Sequence, residues 1–182
     1  MVYVILAEGF EEIEALTPVD VLLRAGAEVK TVGITGRCVT GAHGISVKCD
    51  LYAAEDTVDM DSCEMLVFPG GMPGAENIDK YPDTDSYIDS VISNGGYVGA
   101  ICAAPMILGK RGYLKDRRAV CYPGFEEYLT GAKVCDADAV RDGQFITSRC
   151  MGTALDFALE LTQCLFGEKK RLAVEAAVNG RA

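Results

Sequence analysis

The chain has 182 residues, 49% of them hydrophobic and 24% charged, with a formal net charge of −10. That length supplies one domain over residues 1–182 with its own buried core, and the composition is globular, not disordered. No apolar run approaches the roughly 18 residues a membrane span needs. The acidic balance argues against nucleic acid, and a single histidine, His43, leaves little from which to build a metal centre. No membrane, nucleic acid, metal or cofactor is therefore expected.

Residues 2–7 are nearly all apolar, the pattern of a strand buried on both faces. They run directly into Glu8, Gly9 and Phe10, so the start reads as a strand and turn, not a secretory signal. Residues 11–25 predict a helix, with Ile13, Leu16, Val19 and Leu23 at helical spacing and Gly26 as the stop. Glu11 and Glu12 read as solvated acids of its first turn. Residues 27–33 predict a second strand, and 45–49 another on an edge. Residues 65–68 form a buried strand halted by Pro69, Gly70 and Gly71. A helix closes at Asn94, Gly95 and Gly96 after residues 87–93, and 97–101 predict the next strand. A helix over 103–108 follows with no loop between. Residues 118–121 and 144–147 predict further strands. Residues 152–166 predict the last helix, with Asp156, Glu160 and Gln163 on one polar stripe and Gly167 as its cap. Lys169, Lys170 and Arg171 then read as solvated charge beyond its end. Strands alternating with helices imply a doubly wound, mainly parallel α/β sheet, whose ligands gather at the carboxyl ends of the strands.

Three features fall at those ends: residues 8–14, residues 69–71, and Cys102. The eight cysteines show no C-x-x-C spacing and are expected as reduced thiols of a cytoplasmic protein. Cys102 stands apart because a strand feeds a helix at that residue, between small neighbours Gly99, Ala100, Ala103 and Ala104. This is the corner that pushes a nucleophile out at the top of a sheet. The helix start predicts a thiol that titrates below its ordinary value of about 8.5; the competing reading is an inert core thiol. Glu14, one turn into the first helix, reaches the same crevice if it faces inward, where burial would favour its protonated form. Gly70 and Gly71 let backbone N–H groups approach an oxyanion. Their loop is neither G-x-G-x-x-G nor a Walker loop, and the acidic turn after the first strand argues against a flavin phosphate.

These segments together resemble the DJ-1/ThiJ/PfpI superfamily, in its DJ-1-like branch. The resemblance rests on residues 5–15, on 18–26 with Pro18, Asp20 and Arg24, on Phe68 to Gly71, on Ala100 to Pro105, and on Thr147, Ser148 and Arg149 with Gly152 and Thr153. It implies a flavodoxin-like sandwich of the class I glutamine amidotransferase type, with Cys102 as the reactive cysteine and Glu14 as its acid partner. It also implies a pocket from Gly70, Gly71 and Ala103, with Tyr122 and Arg149 beside it. Asp20 and Arg24 match a pair near the subunit interface, so a homodimer is implied. Four residues depart from the pattern. Ala103 stands where the protease-like branch has histidine, which argues against peptidase activity. Tyr122 stands where some DJ-1-like members have histidine, and a phenol of pKa about 10 is a poor base at neutral pH. Cys150 and Met151 replace the usual Gly-Pro. The resemblance implies action on reactive α-oxoaldehydes or glycated adducts in stress protection, as a cofactor-independent glyoxalase or deglycase. The alternative is a redox sensor or chaperone-like stress protein working through oxidation of Cys102, and a third is an amidohydrolase or thiamine-thiazole role.

Overall fold

The computed structural model describes residues 1–181. Strand β1 (Val2–Leu6) is buried along its whole length because its two faces serve two different cores. Val2, Val4 and Leu6 meet one helical layer, and Tyr3, Ile5 and the following Ala7 meet the other. Helix α1 (Glu12–Ala25) follows, closed by Gly26, whose φ of 92° lets its N–H reach back to Leu22 and Leu23. After it come β2 (Val29–Gly33), β3 (Cys38–Thr40), β4 (Ser46–Lys48), β5 (Leu51–Tyr52), β6 (Met65–Phe68), α2 (Gly74–Asp79) and α3 (Thr84–Ser93). The remainder is β7 (Tyr97–Ile101), α4 (Pro105–Lys110), β8 (Arg118–Ala119), β9 (Lys133–Val134), β10 (Ala139–Asp142), β11 (Phe145–Ser148), α5 (Ala154–Phe166) and α6 (Glu168–Val178).

The main sheet has seven strands in the order β10-β11-β7-β6-β1-β2-β5, parallel except for β10 against β11. Helices cover both faces, as in the flavodoxin-like arrangement expected. From β1 the chain builds outward through β2 and β5, then crosses over and builds the other way from β6. The order therefore reverses between β1 and β6, and a crevice opens at their carboxyl ends. Among the described residues no helix is long and apolar enough to cross a membrane.

Four expectations need correction. Residues 45–49 do not edge the main sheet. β4 pairs with β3 in a separate hairpin, and β5 is the edge. The hairpin is drawn to the turn after β1, where Gly9 N–H donates to Thr40 C=O at 2.8 Å and Ala42 N–H to Phe10 C=O at 2.7 Å. β8 likewise lies off the main sheet, paired with β9. A turn at residues 102–104 precedes α4, so the helix starts at Pro105 and not at 103. The helix ending at Phe166 is not the last. α6 follows across Gly167, and its Val174 packs on Val21, Ala25, Ala158 and Leu159. Lys169 and Lys170 are exposed on it, while Arg171 pairs with Glu175 at 3.4 Å.

Candidate active site

Cys102 follows β7 directly and has φ of 65°, one of two non-glycine residues in the left-handed region among the described residues. That conformation is costly for a residue with a Cβ and is held only where the surroundings impose it. Here they do. Cys102 N–H donates to Ser148 C=O at the end of β11 at 2.9 Å, and Cys102 C=O accepts from Tyr122 N–H at 2.8 Å. Pinned on both sides, the half-buried side chain turns into the crevice beyond β1 and β6.

Glu14 comes to the same place from α1. Its backbone N–H donates to Glu11 Oε2 at 2.7 Å, and Glu11 N–H donates to Gly70 C=O at 3.0 Å, so the helix start is stitched to the loop after β6. The Glu14 side chain is 1% exposed. Its Oε2 accepts from Gly70 N–H at 3.0 Å, and the carboxyl meets the Cys102 thiol. Gly70 is obligatory in this packing: a Cβ there would lie 2.5 Å from Glu14 Oε2 and 2.6 Å from Cys102 Cβ. The N–H groups of Gly71 and Ala103 point at the sulfur.

The electrostatics reverse one expectation. Burial, then the charge and the hydrogen-bonded carboxyl of Glu14, push the Cys102 thiol up to about 12, against the pull of the Gly71 and Ala103 N–H groups. The expected downward shift fails because burial disfavours the thiolate and the sulfur sits beside an acid. Burial pushes the Glu14 carboxyl up to about 7, partly offset by its hydrogen bond from Cys102; Glu11 raises it further and Gly70 N–H lowers it. The two groups titrate as a pair. The pair sheds one proton near neutrality and holds the second. Thiolate forms when that proton sits on Glu14, by an internal transfer that leaves the charge of the site unchanged. Burial also pushes Cys49, Cys63, Cys121 and Cys164 up to about 11, so what sets Cys102 apart is its acid partner and its cradle of amides.

Residues 1–164 match the model of the DJ-1/PfpI family. The chain belongs to the DJ-1/PfpI family. It is 33% identical over 165 residues to glutathione-independent glyoxalase DJR-1.2 of Caenorhabditis elegans, covering 90% of this chain and 87% of that protein. It is 32% identical over 166 residues to deglycase PYRAB04690 of Pyrococcus abyssi, covering 90% and 98%. The structure of oxidized Toxoplasma gondii DJ-1 superposes with a TM-score of 0.91 at 30% identity, over 97% of this chain and 96% of that one.

The remaining positions read from the sequence are not all part of this DJ-1/PfpI crevice. Tyr122 touches Cys102 through its backbone, and its ring turns outward, edge-on to Phe125 with centroids 6.4 Å apart. Arg149 lies next to Ser148, but its guanidinium binds the Asp136 carboxylate and Ala137 C=O. Asp20 and Arg24 form an exposed ion pair of 2.7 Å on α1. His43, the single histidine, is engaged away from Cys102: its Nδ1 lies 2.8 Å from Glu12 Oε2. Glu12 is a correction too: it is 5% exposed, not solvated. Its carboxylate accepts from His43 N–H at 2.7 Å and Ile45 N–H at 3.4 Å, locking the tip of the β3–β4 hairpin onto α1. Glu11, Glu12 and His43 are the described residues whose ligand atoms gather within 4.8 Å, and these internal bonds already occupy the Glu12 oxygens. Sequence reasoning gave no site role to Ser148, whose hydroxyl holds Asp138 C=O at 2.7 Å and Thr153 at 2.8 Å while its carbonyl fixes Cys102. A backbone acceptor leaves no mark in residue type.

Proposed function

We propose that this chain is a cysteine-dependent, cofactor-independent enzyme acting on reactive α-oxoaldehydes, methylglyoxal or the early glycation adducts it forms, with Cys102 as nucleophile and Glu14 as acid–base group. The observation that carries the reading is the pairing of a half-buried thiol with a carboxyl raised to about 7, under converging N–H groups from Gly70, Gly71 and Ala103. The names of the nematode glyoxalase and the archaeal deglycase support the same chemistry. The Cys102 thiolate adds to the aldehyde carbon, and the alkoxide takes up a proton to give a hemithioacetal. Glu14 removes the proton from that carbon and returns it to the adjacent one, converting the adduct to a thioester. The N–H groups of Gly71 and Ala103 stabilise the oxygen that gains charge. Water then releases the hydroxy acid and restores the thiol. Purified protein should convert methylglyoxal to lactate, and Cys102→Ala should not. Equal lactate formation by both would rule the reading out. With no histidine beside Glu14, turnover should be slow.

A second reading uses the same cradle. Two equivalents of peroxide would convert the Cys102 thiolate to a sulfinate and two waters, with protonated Glu14 and the Gly71 and Ala103 N–H groups donating to its oxygens. A gain of two oxygens at the Cys102 peptide by mass is the expected result. A disulfide to Cys150 as the main product would replace this with a two-cysteine switch. A homodimer belongs to the same proposal. Ile13, Leu16 and Ile45 are exposed around an apolar hollow beside Asp20, more apolar surface than an isolated chain needs to show. A solution mass at micromolar concentration should be twice that of the chain.

A further inference from the structure

We propose that Thr147 and Ser148, neighbours at the end of β11, are positioning residues for the Cys102 nucleophile, their hydroxyls fixing the two peptide planes on either side of it and so aiming both the thiol and the Ala103 N–H. The inference rests on the reading of Cys102 as nucleophile and adds what holds it in place. A left-handed residue with a Cβ returns to an easier conformation unless both of its planes are held. The first plane carries Cys102 N–H, which donates to Ser148 C=O at 2.9 Å. The second carries Cys102 C=O, which accepts from Tyr122 N–H at 2.8 Å. A peptide unit is rigid, so the bond that holds this carbonyl also sets the direction of the Ala103 N–H on its other side. That N–H is one of the two that point at the sulfur.

Each of these two partners is itself fastened by a buried hydroxyl of β11. Successive side chains of a strand face opposite ways, and the two hydroxyls accordingly reach different segments. Thr147 is buried, and its Oγ1 accepts Val120 N–H at 3.0 Å, which ties down the segment leading from β8 to Tyr122. Ser148 is buried as well. Its hydroxyl lies 2.7 Å from Asp138 C=O, just ahead of β10, and 2.8 Å from Thr153 Oγ1, at the entry to α5. Each hydroxyl has one proton to give. Cys150 C=O is already met by Thr153 N–H at 2.9 Å. The arrangement that uses every donor therefore runs from Cys150 N–H to Thr153 Oγ1 at 3.2 Å, from Thr153 O–H to Ser148 Oγ, and from Ser148 O–H to Asp138 C=O. That chain draws three segments onto the residue whose carbonyl takes Cys102 N–H. An apolar side chain of similar size would fill either position without burying a hydroxyl, so the bonds and not the packing give these two residues their use.

Alkylation of Cys102 by iodoacetamide, followed at its peptide by mass across the neutral pH range, tests this independently of turnover. Thr147→Val and Ser148→Ala should each lower the rate by about 10-fold or more, as a displacement near 1 Å at a reacting group can. The inflection near neutrality should stay in place, because Glu14 keeps its bond from Gly70 N–H. Thr147→Ser keeps the acceptor and should keep the rate. Thr84→Val removes a different buried hydroxyl, the one that holds Ile78 C=O at 2.6 Å between α2 and α3. It should lower the urea midpoint and leave the rate alone. If Ser148→Ala does not fold, Thr153→Val cuts the same chain one bond further out and should show the same loss. A wild-type rate in Thr147→Val or in the variant that cuts the chain would overturn the proposal. So would a Thr147→Ser rate as low as that of Thr147→Val, an equal loss in Thr84→Val, or a profile that slides along the pH axis at full amplitude. With methylglyoxal the same variants should lose kcat and keep KM, and a raised KM at full kcat overturns the proposal too. If alkylation behaves as expected while the wild type forms no lactate, the aldehyde reading fails and the positioning of Cys102 stands.

Discussion

Glu12 and Glu14 lie two residues apart in the first turn of one helix, and both are almost wholly buried, yet their carboxyls move in opposite directions. Burial raises both. At Glu12 it is outweighed by hydrogen bonds from the His43 side chain and from the N–H groups of His43 and Ile45, and the carboxyl is held below its ordinary value. At Glu14 one backbone N–H and a thiol are too few, and the carboxyl rises to about 7. The donors around a buried acid, not its depth, decide whether it carries charge. Each glutamate is also shadowed by a glycine. A Cβ on Gly41 would sit 2.4 Å from Glu12 Cδ, as one on Gly70 would sit 2.5 Å from Glu14 Oε2. Two similar constructions thus serve different ends: the fully satisfied acid fastens a hairpin, and the under-satisfied one keeps a proton close to sulfur.

Exchanging each acid for its amide separates the two roles most sharply. Glu14→Gln should lower turnover of methylglyoxal by about 10²- to 10⁴-fold, the usual worth of a positioned acid–base group. Glu12→Gln should leave turnover within a few-fold. It should instead lower stability by about 1–3 kcal/mol, because an amide offers one acceptor to donors that faced two. Equal losses of turnover in the two variants would erase the distinction. The glycines repeat the test by shape. Gly70→Ala should suppress Cys102 alkylation at pH 7 by about 10-fold or more, as a displacement near 1 Å at a reacting group can. Gly41→Ala should spare that reactivity and lower the urea midpoint.

The stability profiles should differ in sign as well. Glu14 binds its proton more tightly folded than unfolded, so its contribution is present below pH 4.5 and is lost as pH rises toward about 7. The loss amounts to about 3 kcal/mol. Glu14→Gln should therefore flatten the decline in urea stability between pH 4.5 and 7, and an unchanged slope would place the titration elsewhere.

Much of this was legible in the sequence, for identifiable reasons. β1, β6 and β7 are continuous apolar runs ended by glycine or by the Cys102 corner, and α1 carries a clear helical period with Gly26 beyond it, so the sheet and the crevice followed from pattern. The family resemblance located Glu14 and Cys102, and the geometry brings them together with Gly70, Gly71 and Ala103. What was not legible depends on partners distant in sequence. β4 reads as an edge strand until the loop at Gly9 and Phe10 is seen to hold its hairpin. α6 has too few apolar positions for a period, since it buries only Val174 against α1 and α5. Glu12 looks like Glu11 locally, and only residues 41–45, some thirty positions away, make it a buried anchor. The thiol shift went the wrong way for the same reason: the local corner suggests a dipole, while the burial that raises the thiol, and then the Glu14 carboxyl beside it, come from elements distant in sequence.

The smallest expected effect probes the anchor from its exposed side. His43 is bonded to Glu12, and that hydrogen bond, with the carboxylate's charge, raises the imidazole above 6.5. A raised histidine contributes stability below its unfolded value and loses it as pH climbs through the folded one. The lowered Glu12 carboxyl contributes above 4.5 and loses that as pH falls through its own folded value. Glu11 faces the imidazole and adds to its retention of the proton. The ion pair is therefore fullest between about pH 5 and 6.5. His43→Ala removes the imidazole but leaves the residue's backbone N–H on Glu12, so the hairpin should stay docked and the loss should be smaller than for Gly41→Ala. The urea midpoints of wild type and His43→Ala should differ most near pH 5.5 and converge as pH rises past the folded histidine value. A difference that is constant from pH 5 to 9 would show that the ring acts by packing alone, and that Glu12 is satisfied by the two backbone amides without it.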